Sequence, residues 1–384
     1  MLKWSVTGTP AKPYSILFTM GPDSYTWTNF TGGTGTHSGW VTFTMPLDGS
    51  IPIKVQLDPA NVAGDTTTLL HTASSSFVPV PPTIPTNWYD PQEITASETA
   101  SVTVPLGTRL TEIQMVLGHP ITGICQEVLS VTPPAGAVPI VIAPFGAPAY
   151  ETTFMSPGVG TYTAKETFSV RQGNFRANSS LVDCTWANLS SLNSSFAPDL
   201  ASDNECEAND PSIAAFVATI LPANYKTSMT PLAAARKLFQ AVAARIRYVT
   251  PATDDAVTVL KNGVGDCGGY SCLYVACLRH IGIPARPVNG WIPTGWHCWT
   301  EIYTPKGGWI PQDCCFCSTA SKGSYAFYFM IMPDLNSRVC ISRGSQFLIN
   351  GSTVPFLEEG LFWCWGTGNP VCNTTYTLQV TGHS

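Results

Sequence analysis

Cys267, His297 and Asp313 are the residues of this 384-residue chain whose types and spacing could do chemistry together. Cys267 stands in Gly265-Asp266-Cys267-Gly268-Gly269-Tyr270-Ser271, ahead of an apolar segment. His297 follows 30 residues later in Gly295-Trp296-His297-Cys298-Trp299-Thr300-Glu301, and Asp313 lies 16 beyond it, closing Gly308-Trp309-Ile310-Pro311-Gln312-Asp313. A thiol attacks as its thiolate, and the unpaired N–H groups of a helix start favour that anion. Cys267 falls where the sequence predicts a helix to begin. The thiol also needs a base, and imidazole is the side chain best tuned to neutral pH. His297 lies in an alternating segment, so its ring faces one side of a strand. A carboxylate that fixes the imidazole tautomer would complete the set, and Asp313 follows a turn at Lys306-Gly307-Gly308 that could return it to a neighbouring strand. Gly268 and Gly269 cost a helix about 1 kcal/mol each relative to Ala. That cost is tolerable if their bare backbone lets a substrate approach the sulfur, which makes them cleft candidates.

The elements that must position these residues are legible nearby. Asp210-Pro211 starts one helix, with Asp210 or Asn209 as its cap. Thr230-Pro231 starts a second, in which Leu232, Ala235, Leu238, Phe239, Val242, Ala243 and Ile246 form one stripe. Thr253-Asp254-Asp255 caps a short helix that stops at Asn262-Gly263, and a further helix runs from Cys267 to His280 and stops at Gly282. Strand-like pieces follow at 285–290, 296–303 and 309–310. Helices before strands give an α+β order.

These segments resemble the transglutaminase-like superfamily. The resemblance rests on Gly265-Asp266-Cys267 with its apolar helix and on Gly282-Ile283-Pro284-Ala285-Arg286-Pro287-Val288-Asn289-Gly290. It rests also on His297-Cys298-Trp299-Thr300-Glu301, on Trp309-Ile310-Pro311-Gln312-Asp313, and upstream on Ile246-Arg247-Tyr248. It covers about residues 210–320. It implies a papain-like core, in which a nucleophile helix packs on a small antiparallel sheet. It assigns Cys267 as nucleophile, His297 as general base and acid, and Asp313 as the group that orients the imidazole. The Cys267 N–H, with Tyr248 as a side-chain candidate, would hold the oxyanion. Trp296 and Trp299 are expected as core or cleft walls. Asp266 is expected to cap the helix, and Arg286 to form a structural ion pair. The implied chemistry is acyl transfer through a Cys thioester. The compact Cys-to-His interval favours hydrolysis of peptide, isopeptide or amide bonds, as in cysteine peptidases. Protein-glutamine γ-glutamyltransferase crosslinking is the alternative. A reading from another class is an extracellular structural or adhesive protein with an accessory or self-processing core.

Composition bounds the rest. Charged residues make up 11% of the chain and the net charge is −6. No basic stripe exists, which argues against nucleic-acid partners. No apolar run approaches the length of a membrane span. Residues Met1 to Ser5 lack the basic and apolar regions of a leader, so export would need another route or a leader outside this sequence. Thirteen cysteines and a Ser/Thr-rich, charge-poor composition point to an extracellular or cell-surface location with disulfides, one of them closing a hairpin between Cys364 and Cys372. Buried reduced thiols are the alternative. Cys314 and Cys317 have Cys-x-x-Cys spacing but no matching second pair, and no calcium loop is evident, so neither metal nor cofactor is expected. The expected partner is a protein or peptide substrate, with a surface partner for the β regions. Residues 1–92 read as a β-rich domain, a sandwich or barrel, with a linker at 78–85. Residues 93–205 read as a second β-rich domain ending in a long loop at 177–205. Residues 206–335 are the expected catalytic core, and 336–384 a β tail packing on the core or on a β domain.

Overall fold

The structure, a computed structural model, describes six strands between residues 2 and 77 as backbone only, and residues 86–383 apart from 193, 320–327 and 358. The linker expected at 78–85 lies outside the described residues. Two compact units are distinguished, residues 1–83 and residues 84–319 with 328–384. In the first, β1 (Leu2–Gly8), β2 (Tyr14–Met20), β3 (Asp23–Phe30), β4 (Gly35–Val41), β5 (Ile51–Pro59) and β6 (His71–Phe77) are all antiparallel. β1 pairs with β4, and the other four form a sheet in the order β3-β2-β5-β6.

The second unit opens on strands β7 (Thr86–Val104), β8 (Arg109–Gly118), β9 (Gln126–Thr132), β10 (Val138–Ile142), β11 (Ala147–Met155) and β12 (Gly160–Ala177). β7 runs unbroken through residue 92. Alternation along it puts Ile94, Ala96, Ala100, Val102 and Val104 on one buried face. Two strands from the chain's end complete the sheets. β22 (Leu361–Thr367) pairs with β8, and β23 (Val371–His383) pairs with β7. One sheet reads β10-β11-β8-β22, and the other runs from β18 (Ile331–Met332) through β12 and β7 to β23, with β9 on β12. Side chains of both sheets share a core built from Ala100, Val102, Ile113, Met115, Leu117 and Ala164. The sheets therefore pack face to face.

Residues 177–205 are not the long loop that their polar composition suggests. They form α1 (Ser179–Val182), α2 (Trp186–Ser190) and α3 (Ala197–Leu200). The polar residues are helix caps. Asn178 accepts from Ser180 N, and Thr185 and Asn188 form a reciprocal capping box.

The helices of the core follow: α4 (Pro211–Ile220), α5 (Tyr225–Ser228), α6 (Pro231–Arg245), α7 (Ala256–Asn262) and α8 (Cys267–Ile281). Their ends obey local rules. Asp210, Thr230, Asp255 and Asp266 each accept a hydrogen bond from the first turn, while Gly263 and Gly282 end α7 and α8 at φ 68° and 90°. α8 is buried on nearly every side, which marks it as the central element. Between these helices, β13 (Arg247–Tyr248) and β14 (Val264–Gly265) form a short parallel pair. α8 packs against an antiparallel sheet made of β15 (Ala285–Ile292), β16 (Gly295–Thr304), β17 (Gly308–Gln312) and β19 (Val339–Arg343), in the order β17-β16-β15-β19. α9 (Cys314–Thr319) and β18 (Ile331–Met332) lie between β17 and β19, and the hairpin β20 (Phe347–Ile349) with β21 (Ser352–Val354) follows. Arg286 forms the expected structural pair. It donates to the buried Glu301 carboxylate across β15–β16, and Arg343 of β19 donates to the same carboxylate. No described helix is long and apolar enough to cross a membrane.

None of the thirteen cysteines forms a disulfide among the described residues, so the expected Cys364–Cys372 disulfide is absent. The two thiols do interact where β22 and β23 face each other. Ten of the others are buried and fill space as small apolar side chains.

Candidate active site

Cys267 is the first residue of α8 and is partly exposed. Its neighbour Asp266 caps the helix. Asp266 Oδ1 accepts from Gly269 N at 3.3 Å, and Oδ2 accepts from Ala252 N at 3.2 Å. Cys267 thus sits among the unpaired N–H groups of a fifteen-residue helix, where a thiolate is favoured. Of the thirteen thiols, only Cys267, Cys364 and Cys372 reach solvent appreciably, and of these three only Cys267 opens a helix.

His297 lies on β16 opposite Gly290 of β15. Gly290 is required there, because a side-chain carbon on it would overlap the Val339 carbonyl of β19. His297 is buried, and its Nε2 lies 2.8 Å from Asp313 Oδ2. Asp313 lies between β17 and α9, and its Oδ1 accepts from Phe316 N at 2.9 Å. Burial alone would raise the Asp313 pKa. His297 and Arg338 more than offset this and hold the carboxyl well below its usual range. An ionised carboxylate only accepts, so Nε2 carries the hydrogen and Nδ1 is left for a thiol proton.

The turn after β17 ties this pair to the head of α8. Cys314 Sγ donates to Tyr270 O at 3.4 Å, in the first turn of α8. Tyr274 of α8 donates to Gln312 Oε1 at 2.7 Å. Cys315, two residues beyond Asp313, is close enough to Cys267 for the two sulfurs to interact electrostatically. Cys267, His297 and Asp313 are therefore gathered where α8, β16 and β17 meet.

Tyr248 is brought to the same place. It lies opposite Gly265 in the β13–β14 pair, two residues before Cys267, and is 42% exposed. Partial burial raises its pKa, with Cys267 and Cys315 contributing.

Four cleft candidates have other work. A side-chain carbon on Gly268 would overlap the Asp254 carboxylate, and one on Gly269 would lie 2.9 Å from Val259 Cγ2 and 3.0 Å from Thr253 O. Both glycines are buried. They let residues 253–259 press against α8, and that packing is the reason for the missing side chains. Trp299 is 2% exposed and lies beneath the guanidinium of Arg338, so it supports the site from inside. Trp296 packs on Trp291 and on Tyr376 of β23, joining the core sheet to the β sheets.

Two residues at the site carry no motif. Arg338 is 1% exposed, and its Nη1 donates to Asp313 Oδ2 at 2.7 Å. It comes from the turn before β19, 25 residues after Asp313, so no local spacing links the two. Asp254 reads locally as part of a cap. Its carboxyl instead lies beside Gly268, where burial and the neighbouring Asp266 push it up to about 8.

Residues 221–314 match the family model of the transglutaminase-like superfamily. This segment, which holds Cys267, His297 and Asp313, is a transglutaminase-like domain within an α+β chain. A structure from Cytophaga hutchinsonii, described as a candidate cysteine protease, superposes with a TM-score of 0.57 at 14% identity, covering 78% of this chain and 94% of that one. At that identity the likeness is one of fold. The periplasmic domain of TgpA from Pseudomonas aeruginosa is more remote, with a TM-score of 0.31 at 15% identity over 61% of this chain and 91% of that one. No curated protein sequence matches the chain.

Proposed function

We propose that this chain is a thiol enzyme that transfers acyl groups through a Cys267 thioester and uses water as acceptor, hydrolysing peptide, isopeptide or amide bonds. The observation that carries the reading is the buried His297–Asp313 hydrogen bond of 2.8 Å, tied by the Cys314 turn to the helix that Cys267 opens.

The chemistry follows from the geometry. His297 Nδ1 takes the Cys267 proton, and the thiolate attacks the substrate carbonyl carbon. The oxyanion is held by the Cys267 N–H, with the Tyr248 hydroxyl as second donor. The imidazolium then gives its proton to the leaving amine as the C–N bond breaks, leaving a thioester. Water attacks the thioester, with His297 accepting its proton, and the thiol is released. Asp313 stays ionised throughout and keeps Nδ1 turned away from itself. The substrate is a protein or peptide, and the setting is extracellular or cell-surface, with the β sheets available to a surface partner.

Iodoacetamide tests this reading. Cys267 should be alkylated faster than Cys364 or Cys372, which are accessible but lie on strands and not at a helix start. His297→Ala should remove that preference. Equal labelling of the three thiols would sink the reading. A glutamine peptide supplied with a fluorescent amine then separates the acceptors: ammonia release without amine incorporation supports hydrolysis, and incorporation supports crosslinking.

A further inference from the structure

We propose that Arg338 is a positioning residue for this reaction. By sharing Asp313 Oδ2 with His297, it sets the proton affinity of the imidazole, and Asp334 sets how much of the Arg338 charge reaches that oxygen. The assignment rests on the Cys267–His297–Asp313 reading above.

The geometry is specific. Asp313 Oδ2 accepts from His297 Nε2 at 2.8 Å and from Arg338 Nη1 at 2.7 Å. Two donors occupy both lone pairs of that oxygen. The other arm of the guanidinium, Nη2, donates to Asp334 Oδ1 at 3.1 Å and Oδ2 at 2.9 Å. Tyr328 OH also donates to Asp334, at 3.3 Å. The Arg338 carbon lies 4.7 Å from the Phe316 ring centre and 5.5 Å from that of Trp299. The chain Asp334–Arg338–Asp313–His297 is therefore enclosed by aromatic rings, where charges act strongly on one another. Arg keeps its charge at any working pH, so it is a fixed bias on Asp313.

A buried carboxylate with its full charge would hold imidazolium tightly. Arg338 takes up part of that charge. His297 then releases its proton more readily, which the leaving-group step requires. Few other groups near Asp313 and His297 change charge. Burial holds the Cys314 and Cys315 thiols and the Tyr328 phenol well above their usual ranges and pushes Cys317 up to about 12. That leaves Cys267, the reacting group itself, and the Asp334–Arg338 pair as the source of the bias.

The test is the rate of Cys267 alkylation by iodoacetamide as a function of pH, in the full chain. Its alkaline limb marks loss of the imidazolium proton beside the thiolate. Arg338→Gln removes the opposing charge, Asp313 holds the imidazolium more tightly, and that limb should move up by about one pH unit. Asp334→Asn frees more of the Arg338 charge to act on Asp313, and the limb should move down. Arg338→Lys keeps the charge and should return the limb close to that of the parent. A residue that only holds the fold together would lower rate and melting temperature without moving the limb. Should Arg338→Gln not fold, Asp334→Asn carries the test, since Asp334 is 32% exposed at its side chain. A downward shift there supports the assignment and an unmoved limb overturns it. A parent that labels Cys267 no faster than Cys364 overturns the triad reading and this assignment together. A selective parent with unmoved limbs in both variants overturns this assignment alone.

Discussion

Glu98 of β7 stands directly opposite Glu166 of β12 in the antiparallel register, and both carboxyl groups are buried between the sheets. Neither oxygen of Glu166 has a hydrogen-bond partner. Burial raises both carboxyls, and for Glu98 the facing Glu166 adds to it. Glu166 is pushed from the ordinary 4.5 up to about 9. The Gly360 N–H relieves Glu98 in part, and Glu359 opposes it. A raised value in the folded state means that the folded protein binds more protons than the unfolded chain. The associated stability is complete below about 4.5 and is lost as pH climbs toward about 9. Glu166→Gln should therefore stabilise the protein at pH 8 by on the order of 2 kcal/mol and change little at pH 4. Thermal melts of parent and variant across that range check this. Parallel curves would remove the carboxyl pair as a source of pH sensitivity.

Asp313→Asn isolates what the carboxylate contributes. Asparagine fills the same space, and its oxygen can still cap α9 through Phe316 N. Its amide cannot hold His297 in the Nε2–H tautomer with the same preference, and it gives the imidazolium no charge. Turnover of an amide substrate should fall by roughly two to four orders of magnitude. The melting temperature should fall as well, because the asparagine amide meets the His297 and Arg338 donors where the carboxylate accepted both, so the rate is taken per folded molecule. A loss of rate that merely tracks a loss of folded protein would assign Asp313 a structural role.

These predictions draw on two kinds of information, and only one was readable in the chain. The start of α8 was legible because its signals are local: Asp266 as cap, Cys267 behind a Gly turn, and Gly282 as stop. β15 to β17 were legible because short runs rich in aromatic and β-branched residues lie between Gly and Pro turns. Arg338 was not legible. Its partner is 25 residues away, and the contact exists only because β19 adds to the far edge of the core sheet. The buried face of Trp299 and the packing of Trp296 on Tyr376 were hidden for the same reason. Residues 177–205 misled through composition. Ser and Asn are loop formers on average, yet Asn178 and Thr185 use their side chains to start helices. Cys364 and Cys372 are neighbours, as the turn between them implies, but proximity of two thiols does not make a bond between them.

Gly268 and Asp254 make the last prediction, and it depends on a relation the sequence hid. A methyl group on Gly268 would overlap Asp254 Oδ1 and approach Phe356 Cε2 at 3.1 Å. Helix propensity alone says that Gly268→Ala should stabilise α8 by about 1 kcal/mol. Overlap with a buried carboxyl says the reverse, at about 1–3 kcal/mol. The steric effect is the larger, because Asp254 is held by Asp266, which also caps the helix and binds Ala252 N. Gly268→Ala should therefore destabilise the protein and slow Cys267 labelling, since moving Asp254 disturbs the cap beside the thiol. Asp254→Ala removes the obstacle, so the double variant should recover most of what Gly268→Ala alone loses. A double-mutant cycle read by urea denaturation measures that coupling. Additive losses would show that Gly268 is required for a different reason, with close approach of a substrate to the sulfur as the first to test.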